Sequence, residues 1–170
     1  IKLTWTKSSS ATGYEVWIYN SSKDNYIKAK TITNKNITSY TRQNITSATV
    51  YKFKVRAYRI VNGIKYYGDF TDEFTTVTKP LTPNLKIISG SKKATLKWSN
   101  TSKGSTGYQI YRATSKYSSY KKIKTTNLKS FTNTDLTKGK YYYKVRAYKT
   151  LNDGTIVYGS FSSVKSVKIK

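Results

Sequence analysis

The chain has 170 residues, of which 36% are hydrophobic, a formal net charge of +25, and no cysteine or histidine. Without these two residue types, the chain can form neither disulfides, nor a zinc site of the usual kind, nor a histidine-assisted nucleophile. It also has no run of eighteen apolar residues, so the sequence predicts no membrane span.

Apolar and polar residues alternate along most of the chain, and Val, Ile, Thr and Tyr are abundant. This period favours β-strands, and no helical stripe of useful length competes with it. The first strand is predicted at Ile1–Thr6. In the C-terminal half, seven strands are predicted near Asn84–Ser89, Ala94–Ser99, Thr106–Arg112, Tyr120–Thr125, Lys129–Asp135, Lys140–Leu151 and Thr155–Lys170.

Four sequence blocks occur twice, in the same order and about 90 residues apart, which indicates a duplicated domain. A unit of this length fits one small all-β domain. Because Ile1–Thr6 corresponds to the second strand of the later copy, we expect that the first copy lacks its opening strand and that the chain is cut from something longer. The paired blocks are Leu3–Trp5 with Leu96–Trp98, Gly13–Val16 with Gly107–Ile110, Tyr51–Tyr58 with Tyr141–Tyr148, and Gly68–Thr71 with Gly159–Ser162.

We place one domain at residues 1–79 and the other at residues 84–170. Residues 80–83 begin and end with the two prolines of the chain, which predicts a short, semi-rigid linker. In the first copy, Asn62-Gly63 predicts a β-hairpin with a type I′ turn, since both residues accept positive φ. The second copy has Asn152-Asp153-Gly154 at the equivalent place.

The repeated motif reads Leu-x-Trp, then Gly-Tyr-x-Val/Ile, then Tyr-x-aromatic-x-Val-x-Ala, and it resembles the fibronectin type III family. This resemblance implies two consecutive Greek-key β-sandwiches, with Trp5 and Trp98 in the cores. The segment before Tyr51 resembles the tyrosine corner of that family, and the segment before Tyr141 is one residue shorter. The sequences Gly107–Arg112 and Lys144–Tyr148 are similar to those of modules in secreted or cell-wall-associated proteins of Gram-positive bacteria. The resemblance therefore implies a secreted or cell-surface location.

The carboxylates give no pattern of a catalytic pair or a cation site. Only Asp69, Asp72 and Glu73 lie close together in the sequence, and calcium loops usually supply more oxygen ligands than these three offer. We therefore expect no enzymatic activity, no cofactor and no metal.

One face of the repeated strands is both aromatic and cationic, because residues alternate between the two faces of a strand. With Tyr51, Phe53 and Val55 facing the core, their neighbours face outward. Such a face suits sugars or polyanions, and it equally suits ordinary cross-strand pairing in which Glu15 neutralises Lys52 or Arg56. The candidate ligand face consists of Trp17, Tyr19, Lys52, Lys54, Arg56, Tyr58, Tyr111, Tyr142, Lys144, Arg146 and Tyr148.

Two functions remain open on the sequence alone. The first is a non-catalytic spacer or presentation segment of a larger secreted or cell-surface bacterial protein, with weak adhesion to anionic wall polymer. The second is a carbohydrate- or polyanion-binding module that uses the aromatic and cationic face. The expected partners are other domains of a longer chain and anionic polymer or polysaccharide. Nucleic acid is disfavoured, because lysine greatly outnumbers arginine and no reader motif is present.

Overall fold

A computed structural model describes all 170 residues and contains only strands, turns and loops. The chain therefore has no helix that could span a membrane. The chain forms two compact units, each of which is described separately below. Unit 1 consists of Ile1–Thr46 and Val50–Thr78, and unit 2 consists of Ser47–Thr49 and Lys79–Lys170.

Unit 1 contains seven strands in two sheets. Strands β1 and β4 form a small two-stranded sheet, and the larger sheet has the order β3-β2-β5-β6, with β7 also paired to β5. Apolar residues at alternating positions of both sheets form the core around Val16 and Phe53, which are 0% and 1% exposed. The strands are β1 (Lys2–Thr4), β2 (Gly13–Asn20), β3 (Asn25–Ile32), β4 (Ser39–Thr41), β5 (Val50–Val61), β6 (Ile64–Phe70) and β7 (Phe74–Val77).

Unit 2 contains eight strands in two sheets. The smaller sheet has the order β12-β9-β8, and the larger one has the order β11-β10-β13-β14, with β15 also paired to β13. Their inner faces enclose a core that includes Leu96, Ile110 and Tyr143, all fully buried. The strands are β8 (Asn84–Gly90), β9 (Lys93–Ser99), β10 (Gly107–Ala113), β11 (Lys121–Thr126), β12 (Ser130–Asn133), β13 (Gly139–Thr150), β14 (Ile156–Tyr158) and β15 (Lys165–Ile169).

The prediction of a single strand at Thr155–Lys170 is wrong, because this segment forms two strands separated by six residues. The intervening residues stay bonded to β13 but use a side chain for part of the pairing. The Ser162 hydroxyl accepts a hydrogen bond from the Val145 N–H at 3.1 Å, and the Ser162 N–H donates to the Val145 carbonyl at 2.7 Å. In unit 1, Thr71 makes the same two bonds with Val55.

The hairpin of unit 1 has the predicted turn. Asn62 and Gly63 both have positive φ, 49° and 77°, as a type I′ turn requires. In unit 2 only Gly154 has positive φ within the equivalent loop, and the Leu151 N–H donates to the Thr155 carbonyl across it. The extra residue of the second hairpin therefore changes the turn type.

A tyrosine hydroxyl ties down the loop before the long central strand in both units. Tyr51 accepts a hydrogen bond from the Thr46 N–H at 2.8 Å, five residues earlier. Tyr141 donates to the Thr137 carbonyl at 3.0 Å, four residues earlier. The two loops differ in length by one residue, and the tyrosine hydroxyl correspondingly bonds to a backbone N–H in unit 1 and to a backbone carbonyl in unit 2.

The two core tryptophans are not equally buried, contrary to our expectation. Trp98 is 4% exposed and packs edge-on against Tyr108. Trp5 packs against Tyr14 in the same geometry but is only half-buried. In unit 2, strand β8 places Leu85 opposite Trp98, whereas the two-stranded sheet of unit 1 has no equivalent strand. A groove of about 260 Å³ lies beside Trp5 as a result.

The proline-containing segment predicted as a linker, residues 80–83, falls within unit 2 and is hydrogen-bonded to the rest of that unit. The Leu81 N–H donates to the Ser102 hydroxyl at 2.8 Å, and the Thr82 carbonyl accepts from the Asn100 side chain at 3.0 Å. Both prolines of the segment are buried.

Candidate ligand-binding face

The candidate residues come together on the outer face of the larger sheet in each unit. In unit 1, the pairing of β2 with β5 sets Glu15 opposite Arg56 and Trp17 opposite Lys54. Residues directly opposite each other on neighbouring strands share a face and lie within contact distance. The strand period thus assembles a row of rings and charges above the buried layer.

In unit 1 the face is centred on a carboxylate. Glu15 is 0% exposed although it lies on the outer face. Its Oε2 accepts hydrogen bonds from Arg56 Nε at 3.0 Å and Nη2 at 2.8 Å, and from Trp17 Nε1 at 3.3 Å. Its Oε1 lies 3.1 Å from Lys28 Nζ and 3.8 Å from Lys65 Nζ. Three cations therefore share and cover one negative charge.

The covering groups keep Glu15 ionised. Burial by itself raises the pKa of a carboxyl group, because it removes water from the charged form. Hydrogen bonds from Arg56 and Lys28 outweigh this effect, so the pKa of Glu15 lies below its ordinary value. The carboxylate is therefore a fixed negative charge at neutral pH.

Three aromatic rings surround the guanidinium of Arg56. Its Cζ lies 3.8 Å from the ring centroid of Tyr67, 4.9 Å from that of Phe70 and 5.3 Å from that of Trp17. Trp17 and Phe70 also meet edge to face at 5.7 Å. Aromatic faces attract cations, so the arginine is held by the rings as well as by Glu15.

Unit 2 repeats this cage with a neutral centre. Gln109, which occupies the position of Glu15, accepts hydrogen bonds at Oε1 from Arg146 Nε at 3.1 Å and Nη2 at 2.9 Å. Tyr111 donates to the same oxygen at 3.1 Å and accepts from Arg146 Nη2. The Arg146 Cζ lies 3.7 Å from the ring centroid of Tyr158 and 4.9 Å from that of Phe161. The arginine thus has the same ring environment but no carboxylate.

The two units differ strongly in charge. Unit 1 contains 12 basic residues (lysine and arginine) and five acidic residues (aspartate and glutamate). Unit 2 contains 20 basic residues and two acidic residues. All four ion pairs of the structure lie in unit 1. The outer face of unit 2 is consequently cationic without internal compensation.

The other candidate residues of unit 1 also have partners within the chain. Lys52 Nζ lies 3.1 Å from Glu73 Oε1 and 5.6 Å from the ring of Tyr19. Lys54 Nζ lies 5.1 Å from the ring of Tyr26. The Tyr19 hydroxyl hydrogen-bonds to Asp24. Of the two partners considered for Glu15 from the sequence, only Arg56 contacts it, since Lys52 pairs with Glu73 instead.

Two lysines of β13 in unit 2 also lie against rings. Lys144 Nζ is 4.3 Å from the ring centroid of Phe161 and 4.4 Å from that of Tyr120. Lys140 Nζ is 5.5 Å from the ring of Tyr142. These contacts place a cation over each of these aromatic faces.

Tyr58 is not available on the face, because it is only 2% exposed. Lys65 Nζ lies 4.2 Å from the ring centroid of Tyr58, and the Tyr58 hydroxyl donates to the Ile32 carbonyl at 3.4 Å. Tyr148, its counterpart, is half-buried and lies 6.4 Å from Tyr158. A lysine at position 65 explains the difference, since the residue paired at the equivalent point of β14 is Ile156.

Sequence reasoning missed the rings and lysines that complete the cages. The sequence repeat could have identified Phe70 and Phe161 as candidates, because they occupy the same position in the last of the four repeated blocks. Lys28 and Lys65 carried no such signal, since their contacts with Glu15 depend on the pairing of β3 with β2 and of β6 with β5.

The acidic residues near the end of β6, Asp69, Asp72 and Glu73, do not come together as a group. No group of three or more His, Cys, Asp or Glu side chains comes together anywhere in the chain. Glu73 instead accepts hydrogen bonds from Tyr26, Thr75 and Lys52. These bonds lower the pKa of Glu73 to about 2.

A shallow groove of about 300 Å³ lies over the cage of unit 1. It is lined by Trp17, Asn25, Tyr26, Lys54, Arg56 and Phe70.

No family model matches the sequence, and no curated protein matches it. Among solved structures, a segment of two fibronectin type III domains from chicken tenascin aligns with 98% of this chain and 90% of its own length, at 12% identity and a TM-score of 0.71. The α chain of the chicken interferon-γ receptor aligns with 99% of this chain and 91% of its own, at 17% identity and a TM-score of 0.50. Domains FN1–FN3 of chicken CNTN1 align with 99% of this chain and 61% of their own, at 18% identity and a TM-score of 0.48. With the strand order described above, the tenascin match shows that the chain consists of two consecutive fibronectin type III-like β-sandwiches.

Proposed function

We propose that the chain is a non-catalytic spacer or presentation segment of a larger secreted or cell-surface bacterial protein, with weak adhesion to anionic wall polymer. The observation that carries this proposal is the internal pairing of the candidate face. Arg56 and Arg146 each lie within 4 Å of a ring centroid, and both donate two hydrogen bonds to their neighbour on the adjacent strand. The face stabilises the sheet that carries it.

This pairing leaves few free surfaces for a specific ligand. A ring that stacks on a sugar needs an open face, and lysine or arginine lies over the faces of Trp17, Tyr19, Tyr111 and Phe161. The remaining attraction is the net charge of +25, which draws polyanions to the surface without reading their structure. Such adhesion is weak and depends strongly on salt.

A carbohydrate- or polyanion-binding module is the second candidate, and the groove over Trp17 favours it. Lys54 and Arg56 line this groove beside the rings of Trp17, Tyr26 and Phe70. A sugar that bears an acidic group could contact a ring edge and a cation there at once.

The two functions differ in the way binding responds to salt. We would titrate salt against binding of the chain to purified Gram-positive cell wall and to soluble wall polysaccharide. The chain would be compared with a Trp17→Ala/Tyr19→Ala variant and a Tyr111→Ala/Tyr148→Ala variant, neither of which changes net charge. Adhesion by net charge predicts weak binding, similar in all three proteins, that falls steeply with salt.

Removal of two lysines that are not part of the candidate face serves as the control. Lys7 and Lys23 are exposed, and a Lys7→Gln/Lys23→Gln variant lowers the charge by two without touching the rings. If the net charge of the whole chain governs adhesion, this variant binds more weakly than the aromatic variants; if the cations of unit 2 govern it, this variant binds like the parent chain. Binding that persists at about 0.5 M salt, where the Debye length is about 4 Å, and that disappears in the aromatic variants would overturn the spacer function in favour of the binding module.

A further inference from the structure

We propose that the adhesion resides in unit 2, on the outer face of its larger sheet, and that the polymer bound there is a flexible phosphodiester chain without bases. This inference rests on the adhesion proposed above and assigns it to one unit and one ligand chemistry. We call the surface the unit 2 cationic face. It consists of Lys122, Lys140, Lys144, Arg146 and Lys168.

The strand pairing places these five cations on one continuous surface. Tyr111 in β10 is paired with Lys122 of β11 on one side and with Lys144 of β13 on the other. Lys140 of β13 is paired with Lys168 of β15. The cations come from β11, β13 and β15, and β10 lies between β11 and β13, so the face spans four strands that lie about 4.8 Å apart. A linear polyanion could follow this path.

No carboxylate lies among these cations. The two acidic side chains of unit 2 are Asp135 and Asp153, and both lie in loops between strands. Asp135 accepts a hydrogen bond from the Thr134 hydroxyl, and Asp153 accepts one from the Thr155 N–H. Neither lies within 4.0 Å of a lysine or arginine nitrogen.

Unit 1 has only part of this layout: Lys54 and Arg56 are the counterparts of Lys144 and Arg146, whereas Val50 and Val77 occupy the positions of Lys140 and Lys168. Lys28 is the counterpart of Lys122, since it is paired with Trp17 as Lys122 is paired with Tyr111. Lys28, Lys65 and Arg56 all contact Glu15, and Lys52 contacts Glu73. A polyanion on unit 1 would have to compete with these fixed carboxylates, whereas Gln109 offers no competing charge in unit 2.

The chemistry of the face favours a polymer of phosphates without bases. Bases bind proteins by stacking on open aromatic faces, and Arg146 or Lys144 lies over the rings of Tyr111, Tyr158 and Phe161. Apart from two arginines, the cations of unit 2 are lysines, which act as hydrated point charges and make no bidentate contacts. Point charges spread over a sheet suit a flexible chain of phosphodiesters.

The decisive variant restores the carboxylate of unit 1 in unit 2. In Gln109→Glu, the new carboxylate would lie within hydrogen-bonding distance of Arg146, in a geometry that unit 1 already shows to be compatible with the fold. The matched control is Gln43→Glu, the same change of charge at an exposed residue of unit 1. Binding of both full-length variants to poly(glycerol phosphate) would be measured between about 50 and 200 mM salt.

We expect Gln109→Glu to bind about three- to tenfold more weakly than the parent chain and Gln43→Glu to change affinity by less than about twofold. The salt slope should fall by about 0.7 in Gln109→Glu, as one fewer counterion is released. Conversely, Glu15→Gln should strengthen binding, because it frees three cations, and should do so more than Asp69→Asn. Thermal unfolding followed by Trp98 fluorescence, in a Trp5→Phe/Trp17→Phe background, verifies that unit 2 remains folded.

Different failures point to different errors. If the chain binds poly(glycerol phosphate) but the two Gln→Glu variants weaken binding equally, adhesion follows net charge and the assignment to unit 2 is wrong. If the parent chain does not bind at about 50 mM salt, both the adhesion and this inference are overturned. A single-stranded oligothymidylate with the same number of phosphates forms the third arm. Tighter binding of the oligonucleotide would show that stacked bases, and not phosphates alone, are recognised.

Discussion

The carboxylate of Glu15 receives two hydrogen bonds from the guanidinium of Arg56, at 3.0 and 2.8 Å, and is fully buried on the outer face of a sheet. Removing one partner of such a pair leaves a buried charge uncompensated, which costs more than the pair itself contributes. The pair therefore ties the stability of unit 1 to the ionisation of a carboxyl group.

The first prediction concerns acid. The folded-state pKa values of Glu15 and Glu73 are both lowered, that of Glu73 to about 2. Their contribution to stability is present above the unfolded pKa of about 4.3 and is lost as the pH falls through the folded values. We expect the melting temperature of unit 1 to fall between about pH 4.5 and 2, and that of unit 2 to fall less.

Tryptophan fluorescence separates the two units in this experiment. A Trp98→Phe variant leaves Trp5 and Trp17 as reporters of unit 1, and a Trp5→Phe/Trp17→Phe variant leaves Trp98 as the reporter of unit 2. Glu15→Gln should flatten the pH dependence of unit 1. Equal acid sensitivity of the two reporters would contradict the role given to the carboxylates.

The second prediction concerns the tryptophans of the cores. Trp98→Ala should lower the free energy of unfolding by about 3–5 kcal/mol, because it empties a nearly fully buried site. Trp5→Ala should cost less, since its side chain is half-buried beside an open groove. Denaturant titration of both variants gives the two values. A melting temperature of Trp98→Ala close to that of the parent would show that the core is assigned wrongly.

The third prediction concerns a close approach at Gly13. A Cβ atom on Gly13 would lie 2.1 Å from the Ile32 carbonyl oxygen and 2.6 Å from the Tyr58 hydroxyl. Gly13→Ala should therefore destabilise unit 1 by about 1–3 kcal/mol through overpacking. Gly68→Ala is the control, since its nearest neighbour would be the Ala57 oxygen at 3.8 Å. Calorimetric melting temperatures that fall equally in both variants would argue against a steric cause.

The fourth prediction concerns the tyrosines that hold the loop before each central strand. Tyr51→Phe removes the acceptor of the Thr46 N–H, and Tyr141→Phe removes the donor to the Thr137 carbonyl. Each should cost about 0.5–1.5 kcal/mol. Tyr142→Phe should change the free energy of unfolding little, because the hydroxyl of this neighbouring residue makes no hydrogen bond within the chain. A loss as large in Tyr142→Phe as in Tyr141→Phe would exclude the hydrogen bond as the cause.

Much of the fold could be predicted because it depends on local periodicity and on the repeat. Alternation located seven of the eight strands with predicted bounds to within a residue or two, and the repeated blocks paired Tyr14 with Tyr108 and Val55 with Val145 in equivalent core positions. The break between β14 and β15 was not predictable from alternation, because Ser162 keeps the segment beside β13 through its hydroxyl.

The candidate face was predictable in position but not in its contacts. Alternation places Glu15 on the outer face, but its complete burial depends on Lys28 and Lys65, which reach it from two other strands. Strand register decides these contacts, and a register shift between Val16 and Trp17 sets Lys28 opposite Trp17. Such shifts leave no mark in the pattern of apolar residues.

The exchange of Glu15 for Gln109 replaces one carboxylate oxygen by an amide nitrogen in side chains of nearly the same shape. Because the arginine and its ring cage keep their geometry through this exchange, the electrical character of each copy is uncoupled from its architecture. A duplicated module of this kind can diverge in charge by a single isosteric replacement, without repacking a core or shifting a strand. Two copies that look alike in outline can therefore present different electrostatic surfaces to whatever lies beside them.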